Sequence, residues 1–305
     1  MKKIDIHTHI MPEKMPNWTN KFGYGEFIHI EERNCKACMM KGDQVFRVVD
    51  KNTFDAVTRR EECHSANVNV QVLSTIPVLF NYWAKANDAL ETSRFFNDHI
   101  AQTVNDHPKC FIGLGTVPLR DVDLAIKEME RCVTELKMPG LEIGTNINGI
   151  NLSDPSLFPF YEAAEKLNCA LFIHPWEMMG EQQMEKYWLP WLVGMPAETT
   201  RAICSMIFGG VFEKFPKLRV AFAHGGGAFP YTIGRIEHGF KVRPDLVQID
   251  NNVNPRNYFG KFWVDSLVHD EDAFQFLWKM MGDDKICIGS DYPFPLGEQR
   301  PGELF

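Results

Sequence analysis

The sequence predicts an α/β fold, a (β/α)8 barrel. Eight β-like segments alternate with helix-like segments along the chain, the pattern of parallel strands joined by helical crossovers. Residues able to bind metal or move protons sit at the C-terminal ends of at least four of those strands, the face on which such barrels assemble active sites. A doubly wound open sheet is the competing arrangement and fits candidates on so many strand ends less well. With 305 residues, 45% of them hydrophobic, the chain is long enough for one large core, so residues 1–305 are expected to form a single barrel domain.

The first strand is Ile4-Asp5-Ile6-His7-Thr8-His9-Ile10. Residues two apart in a strand point to one side, so His7 and His9 project together. Residues 11–53 leave the alternation: they are rich in Pro, Gly and charge, with β-like runs at 27–30 and 45–49. They read as a β-hairpin flap inserted over a site, because loops this long are usually functional or disordered. The alternation then begins, with a helix at 54–66, a strand at 68–73, a helix at 86–106 and a strand at 111–117. Asp121 caps a helix to about Leu136, with Leu124, Ile126, Met129 and Val133 among its apolar positions.

Strand 140–144 follows, and Ser153 or Asp154, ahead of Pro155, opens a helix to about Asn168. The buried strand 169–175 has His174 at its end. A loop containing Trp176, Trp188 and Trp191 leads to a helix over 196–214. Strand 218–224 ends in His224, followed by a Gly225-Gly226-Gly227 turn and a helix through Arg235. The last units are strand 259–267, helix 271–281 and strand 285–291, which ends in Asp291. The sequence runs to Phe305, so no eighth helix is expected after that strand. The seam between the eighth and first strands is then expected to lack an outer cover on one side. An absent amphipathic helix forgoes about 1.5–3 kcal/mol for each large apolar side chain it would bury. A shortened, catalytically silent chain that keeps the site is one reading of that pattern.

The formal net charge of −8 argues against general nucleic-acid binding, which needs basic patches. A small anionic substrate remains compatible, because local arginines override net charge. No apolar run reaches membrane-spanning length and the N-terminus lacks a signal-peptide core. Eight cysteines scattered through apolar segments read as reduced thiols of a cytosolic protein. Cys35 and Cys38 have zinc-knuckle or redox spacing, but no second Cys-x-x-Cys closes a four-ligand set, and the pair reads as part of a polar loop.

The strand-end candidates are His7, His9, His174, His224 and Asp291. Each alone has an ordinary explanation, since a histidine after an apolar strand is often a hydrogen-bonded core residue and an aspartate can cap a turn. Gathered at one end of one barrel, they suit a single catalytic zinc that keeps a coordination position open.

These residues on this layout, His7-Thr8-His9, His174, His224 and Ser290-Asp291, resemble the amidohydrolase superfamily of metal-dependent barrels. Binuclear members of that superfamily bridge two metals with a lysine at the end of strand 4. Here that position reads Glu142-Ile143-Gly144-Thr145, which favours one metal. Longer blocks at 45–49, 82–85, 113–116, 186–200, 223–230 and 291–298 are similar to a narrower family, the aminocarboxymuconate-semialdehyde decarboxylases. Sequences of that family continue past position 305 into a closing helix, and there this chain departs from the resemblance.

The resemblance implies zinc-dependent, oxygen-independent decarboxylation of 2-amino-3-carboxymuconate 6-semialdehyde in the kynurenine branch of tryptophan catabolism, limiting flux to quinolinate and NAD. It implies one zinc per subunit on His7, His9, His174 and Asp291, with His224 as the base beside it. Arg47 would hold a substrate carboxylate, Arg235 would do so from the neighbouring subunit of a homodimer, and Trp191 and Phe294 would wall the pocket. Two arginines suit a dicarboxylate, because guanidinium forks bind carboxylates in bidentate fashion. A related hydrolase or decarboxylase of the same superfamily is the alternative; the absent strand-4 lysine and Arg47 argue against the hydrolase.

Overall fold

The structure is a computed structural model and describes residues 2–33 and 36–305. Cys35 lies outside the described residues. The chain opens with β1 (Ile4–His9). It then leaves the barrel through α1 (Trp18–Phe22) and the antiparallel strands β2 (Ile28–Arg33), β3 (Lys36–Lys41) and β4 (Gln44–Val49), which form a three-stranded sheet. The expected hairpin is thus extended by a third strand, and Cys38 is a buried residue of β3 instead of part of a polar loop. The sheet is held over the barrel rim by Ile28, Met39 and Val49, which pack against Ile76, Leu79 and Phe96.

The barrel resumes with α2 (Ala56–Ser65), β5 (Val70–Ser74), α3 (Ala86–Asp106), β6 (Phe111–Gly115), α4 (Val122–Thr134) and β7 (Gly140–Gly144). A small hairpin, β8 (Asn146–Ile147) and β9 (Ile150–Asn151), precedes α5 (Phe158–Lys166) and β10 (Ala170–His174). Then come α6 (Met195–Phe208), α7 (Val211–Lys214), β11 (Val220–Phe222), α8 (Phe229–Val242), α9 (Pro244–Val247), β12 (Trp263–Asp265), α10 (Glu271–Met281) and β13 (Ile286–Cys287). The helix expected over 196–214 is two helices, because Gly209 ends the first and Gly210, at φ 68, turns the chain into the second. The helix carrying Arg235 runs on to Val242.

Eight strands form one sheet in the order β1-β5-β6-β7-β10-β11-β12-β13, and every pairing between neighbours is parallel. The segment after β13 closes the barrel onto β1: Ile6 N donates to Ile288 O at 2.8 Å, Asp291 N to His7 O at 2.9 Å and His9 N to Tyr292 O at 2.8 Å. Aspartates start the helices as their sequence positions require. Asp121 accepts from Leu124 N at 3.0 Å and Asp270 from Ala273 N at 2.7 Å, each cap worth about 1 kcal/mol.

An irregularity between Asp5 and Thr8 shifts the register of β1. Ile6 accordingly joins Val72, Leu114, Phe172 and Ala223 in an apolar layer toward the barrel base, while His7 and His9 reach the rim. Among the described residues no helix follows β13. Residues 292–305 fold back, with the Phe305 ring 5.0 Å from Phe274 and 5.6 Å from Trp278, and Lys3 Nζ donating to Pro301 O at 2.8 Å. They cover part of the seam. Beside them a cavity of about 450 Å3, lined by Asp5, Cys63, Gln71, Tyr292 and Glu298, indents the outer wall.

Candidate metal centre and active site

His7 and His9 come from β1, His174 is the last residue of β10, and Asp291 follows β13. One ligand atom of each lies within 4.8 Å of all the others. His7 Nε2 and His9 Nε2 are 3.2 Å apart, and Asp291 Oδ1 lies 3.5 Å from the former and 3.2 Å from the latter. All four residues are buried.

The other nitrogen of each ring faces an acceptor. His7 Nδ1 lies 2.7 Å from Asp265 Oδ2, His9 Nδ1 2.9 Å from Thr75 O, and His174 Nδ1 2.9 Å from Pro175 O. An acceptor at Nδ1 requires that nitrogen to carry the proton, which leaves three Nε2 lone pairs facing one another. His174 Nε2 is buried and has no hydrogen-bond partner. Three converging lone pairs and a carboxylate, with no donor between them, are what a divalent cation satisfies. The Nδ1 acceptors are the outer hydrogen bonds that orient such ligands.

The electrostatics agree with a cation site. Burial pushes the His7 and His174 imidazoles below their usual range, and for His174 the neighbouring rings of His9, His7 and His224 push further. Both therefore favour the neutral, ligating form. Burial works to lower His9 too, but the carboxylates of Glu142 and Asp291 outweigh it and raise its pKa. Burial would raise Asp291, yet the surrounding histidines hold it well below the usual carboxylate range. Burial lifts Glu142 to about 8.

His224 stands beside this group, outside the mutually converging four. Its Nε2 is 3.9 Å from Asp291 Oδ2, its ring centroid is 5.1 Å from that of His174, and its backbone is left-handed at φ 55. On the other side, Arg47 of β4 lies with its guanidinium carbon 4.4 Å from the Phe294 ring centre, and the Phe294 ring is 5.6 Å from that of His9. Burial lowers the Arg47 pKa while Asp291 supports its charge. Arg47 makes no ion pair among the described residues.

Arg47, His174, Asp291, Phe294, Trp176 and Trp191 line a narrow cavity of about 30 Å3, room for about two waters. An open cavity of about 350 Å3 adjoins it, lined by His224, Tyr231 and Leu267. Trp191, Met195, Asp291 and Leu296 border both. Arg235 is elsewhere: it is exposed on α8 and lines neither cavity.

Several residues around the site escaped the sequence reading. Asp265 ends β12 behind His7. Arg59, fully buried on α2, donates to His9 O at 2.7 Å. Glu198 accepts from Met179 N and Arg201 Nη2, both at 2.6 Å, tying the tryptophan-rich loop to α6. Asp265 carried the same signal as His174 and Asp291, an ionisable residue ending an apolar strand.

Residues 4–304 match the family model described as amidohydrolase. The chain is 58% identical over 99% of its length, and 84% of the relative's, to the 2-amino-3-carboxymuconate-6-semialdehyde decarboxylase of Dictyostelium discoideum. It is 38% identical over 99% of its length, and 88% of the relative's, to the protein of the same name in Caenorhabditis elegans. Among solved structures, the 5-carboxyvanillate decarboxylase of Novosphingobium aromaticivorans, complexed with manganese, superposes with a TM-score of 0.80 at 20% identity. That superposition covers 96% of this chain and 87% of the other, and it is evidence of a shared fold. The closed parallel barrel, the buried His/Asp cluster at its rim and these matches together establish that the chain belongs to the amidohydrolase family, among its carboxy-lyases.

Proposed function

We propose that this protein removes the 3-carboxylate of 2-amino-3-carboxymuconate 6-semialdehyde as CO2, giving 2-aminomuconate 6-semialdehyde, with one zinc per subunit held by His7, His9, His174 and Asp291. The observation that carries the reading is the guanidinium of Arg47, without an ion pair among the described residues, lining the same narrow cavity as ligand residues His174 and Asp291, with His224 Nε2 3.9 Å from Asp291 Oδ2. Three histidines and one carboxylate are an ordinary zinc set; manganese is the competing metal, on the likeness to the manganese complex. When bound, the metal supplies a Lewis acid and brings proton loss from water close to neutral pH.

The chain's own residues do the rest. Arg47 binds a substrate carboxylate by a charge-assisted fork, and Phe294 and Trp191 hold the conjugated chain flat between aromatic faces. His224 Nε2, 3.9 Å from Asp291 Oδ2, takes up and returns a proton. The bond to the departing carboxylate breaks, its electron pair stays on the substrate carbon, and a proton replaces CO2 there. No electron is gained or lost overall, so neither oxygen nor a redox cofactor is required. Loss of the substrate's ultraviolet absorption in oxygen-free buffer, with release of one CO2 per turnover, tests the reaction. An inert protein with full metal content rejects it.

Exposed Arg235 is proposed to serve the neighbouring subunit of a homodimer, as in a closed twofold arrangement where each copy lends the same side chain to the other. Mixing Arg47→Ala and Arg235→Ala parents under subunit exchange, at a substrate concentration where neither parent alone turns over measurably, restores roughly a quarter of wild-type activity if the site is shared, and none if Arg235 acts within its own subunit. The seven described cysteines, all free, are compatible with a cytosolic setting. The likeness to the decarboxylase family supports a role in the kynurenine branch, drawing down the precursor of quinolinate and NAD. Among the described residues no helix is long and apolar enough to cross a membrane.

A further inference from the structure

Asp265 is fully buried and each of its oxygens serves two groups. Oδ2 faces His7 Nδ1 at 2.7 Å and accepts from His224 N at 2.9 Å. Oδ1 accepts from Gly225 N at 2.8 Å and Leu267 N at 3.2 Å. The first pair joins a ring of the metal cluster to the backbone of the residue read as the base. The second holds the turn after it, where His224 and Gly225 are both left-handed, at φ 55 and 60. A histidine there is uncommon and persists only where its surroundings hold it. Gly289 makes the arrangement possible: a Cβ at that position would lie 2.6 Å from Asp265 Cβ and 2.9 Å from His7 Cβ.

We infer that Asp265 is a positioning residue that couples the two halves of the centre, fixing the His7 ring with Nε2 toward the metal and anchoring the left-handed turn that carries His224. It touches neither substrate nor metal. The inference rests on reading the site as a metal-dependent decarboxylase, and it explains why a carboxylate is needed. All four groups that face Asp265 are donors, so both oxygens must accept. An asparagine can satisfy one side only. With its amide toward the turn it opposes Gly225 N–H and Leu267 N–H. With its amide toward His7 it displaces the Nδ1 proton, and the ring then carries hydrogen on Nε2, where the metal would bind.

The test is Asp265→Asn, with zinc affinity measured by competition against a chromophoric chelator and steady-state kinetics measured at saturating zinc. Zinc affinity is expected to fall roughly 10–100-fold, the usual consequence of losing an outer hydrogen bond to a ligand. At saturating zinc, kcat is expected to drop at least about tenfold with KM within about twofold, because the substrate walls are untouched. Gly289→Ala supplies a second route: it keeps every side chain of the centre and forces Asp265 and His7 apart, so both losses should recur if the asparagine variant does not fold. Zinc affinity within twofold of wild type in a folded variant overturns the ligand half of the inference. Unchanged kcat at saturating zinc overturns the coupling to His224. Chelator competition needs no substrate, so a wild-type protein inert toward the carboxymuconate semialdehyde would reject the proposed reaction and leave the Asp265 result standing.

Discussion

The metal-facing side chains and those across the cavity from them are held by different means. His7, His9 and His174 hang from strand ends, each with its second ring nitrogen fixed to Asp265, Thr75 or Pro175. Arg47, Trp191 and Phe294 come from the inserted sheet, a wide π-helical turn at Pro190–Gly194 and the segment after β13. They meet through ring faces, such as Arg47 over Phe294 and Trp188 against Trp191 at 5.8 Å. Hydrogen bonds to a buried carboxylate and buried carbonyls fix direction to within tens of degrees; aromatic contacts tolerate sliding. One half of the site is thus built to hold geometry and the other to adapt to what enters it.

Substitutions on the two halves should therefore fail differently. Asp291→Ala removes the only carboxylate of the cluster and should give the largest effect: metal affinity lower by more than about 100-fold, beyond an outer-contact loss, with turnover lost in parallel. Metal analysis of the dialysed variant checks this, and full occupancy would take Asp291 off the ligand set. His224→Ala should keep its metal and lose roughly 10²–10⁴-fold in kcat; loss of metal would move His224 into the cluster. Arg47→Ala, on the adaptable side, should instead raise KM roughly 10–150-fold, the worth of one charge-assisted hydrogen bond at 1.5–3 kcal/mol, with metal content unchanged. A pure kcat defect there would erase the contrast between the halves.

The smallest effect should touch stability alone. His99 lies on α3, where burial lowers its imidazole pKa to about 4 and its Nε2 has no hydrogen-bond partner among the described residues. Unfolded, it titrates near ~6.5. Above that pH neither state is protonated and His99 costs nothing. As pH falls from ~6.5 toward 4 the unfolded chain takes up the proton first, so stability declines across that window and then levels. His99→Gln should flatten that acid limb in denaturant titrations and leave activity at neutral pH untouched.

The rigid half was the legible one. A strand ending in histidine or aspartate announces both its own position and the end of the barrel it reaches, so His7, His9, His174, His224 and Asp291 could be gathered before any coordinates. The third strand of the insertion was not legible. Lys36–Lys41 contributes its buried Cys38, Met39 and Met40 in an unbroken run, without the alternation that marks a half-exposed strand. Asp265 was missed because the sequence reading ran this strand over 259–267, which hides the aspartate in its interior, whereas β12 ends at Asp265. The break between α6 and α7 was visible as Gly209-Gly210, but helical spacing on both sides masked it. Arg235 belongs to neither half within one chain, and nothing in its spacing says where it acts.

Trp191 borders both the 30 Å3 and the 350 Å3 cavities. Any ligand larger than a few waters that enters the narrow cavity must displace this indole or its neighbours, changing its stacking on Trp188 and its exposure to solvent. Two indoles 5.8 Å apart make a natural optical probe of that displacement. Filling of the site should register as a change in intrinsic tryptophan emission before any carbon–carbon bond has broken. A stopped-flow trace with a non-reactive dicarboxylate would then report arrival at the site separately from chemistry, and Trp191→Phe should silence it.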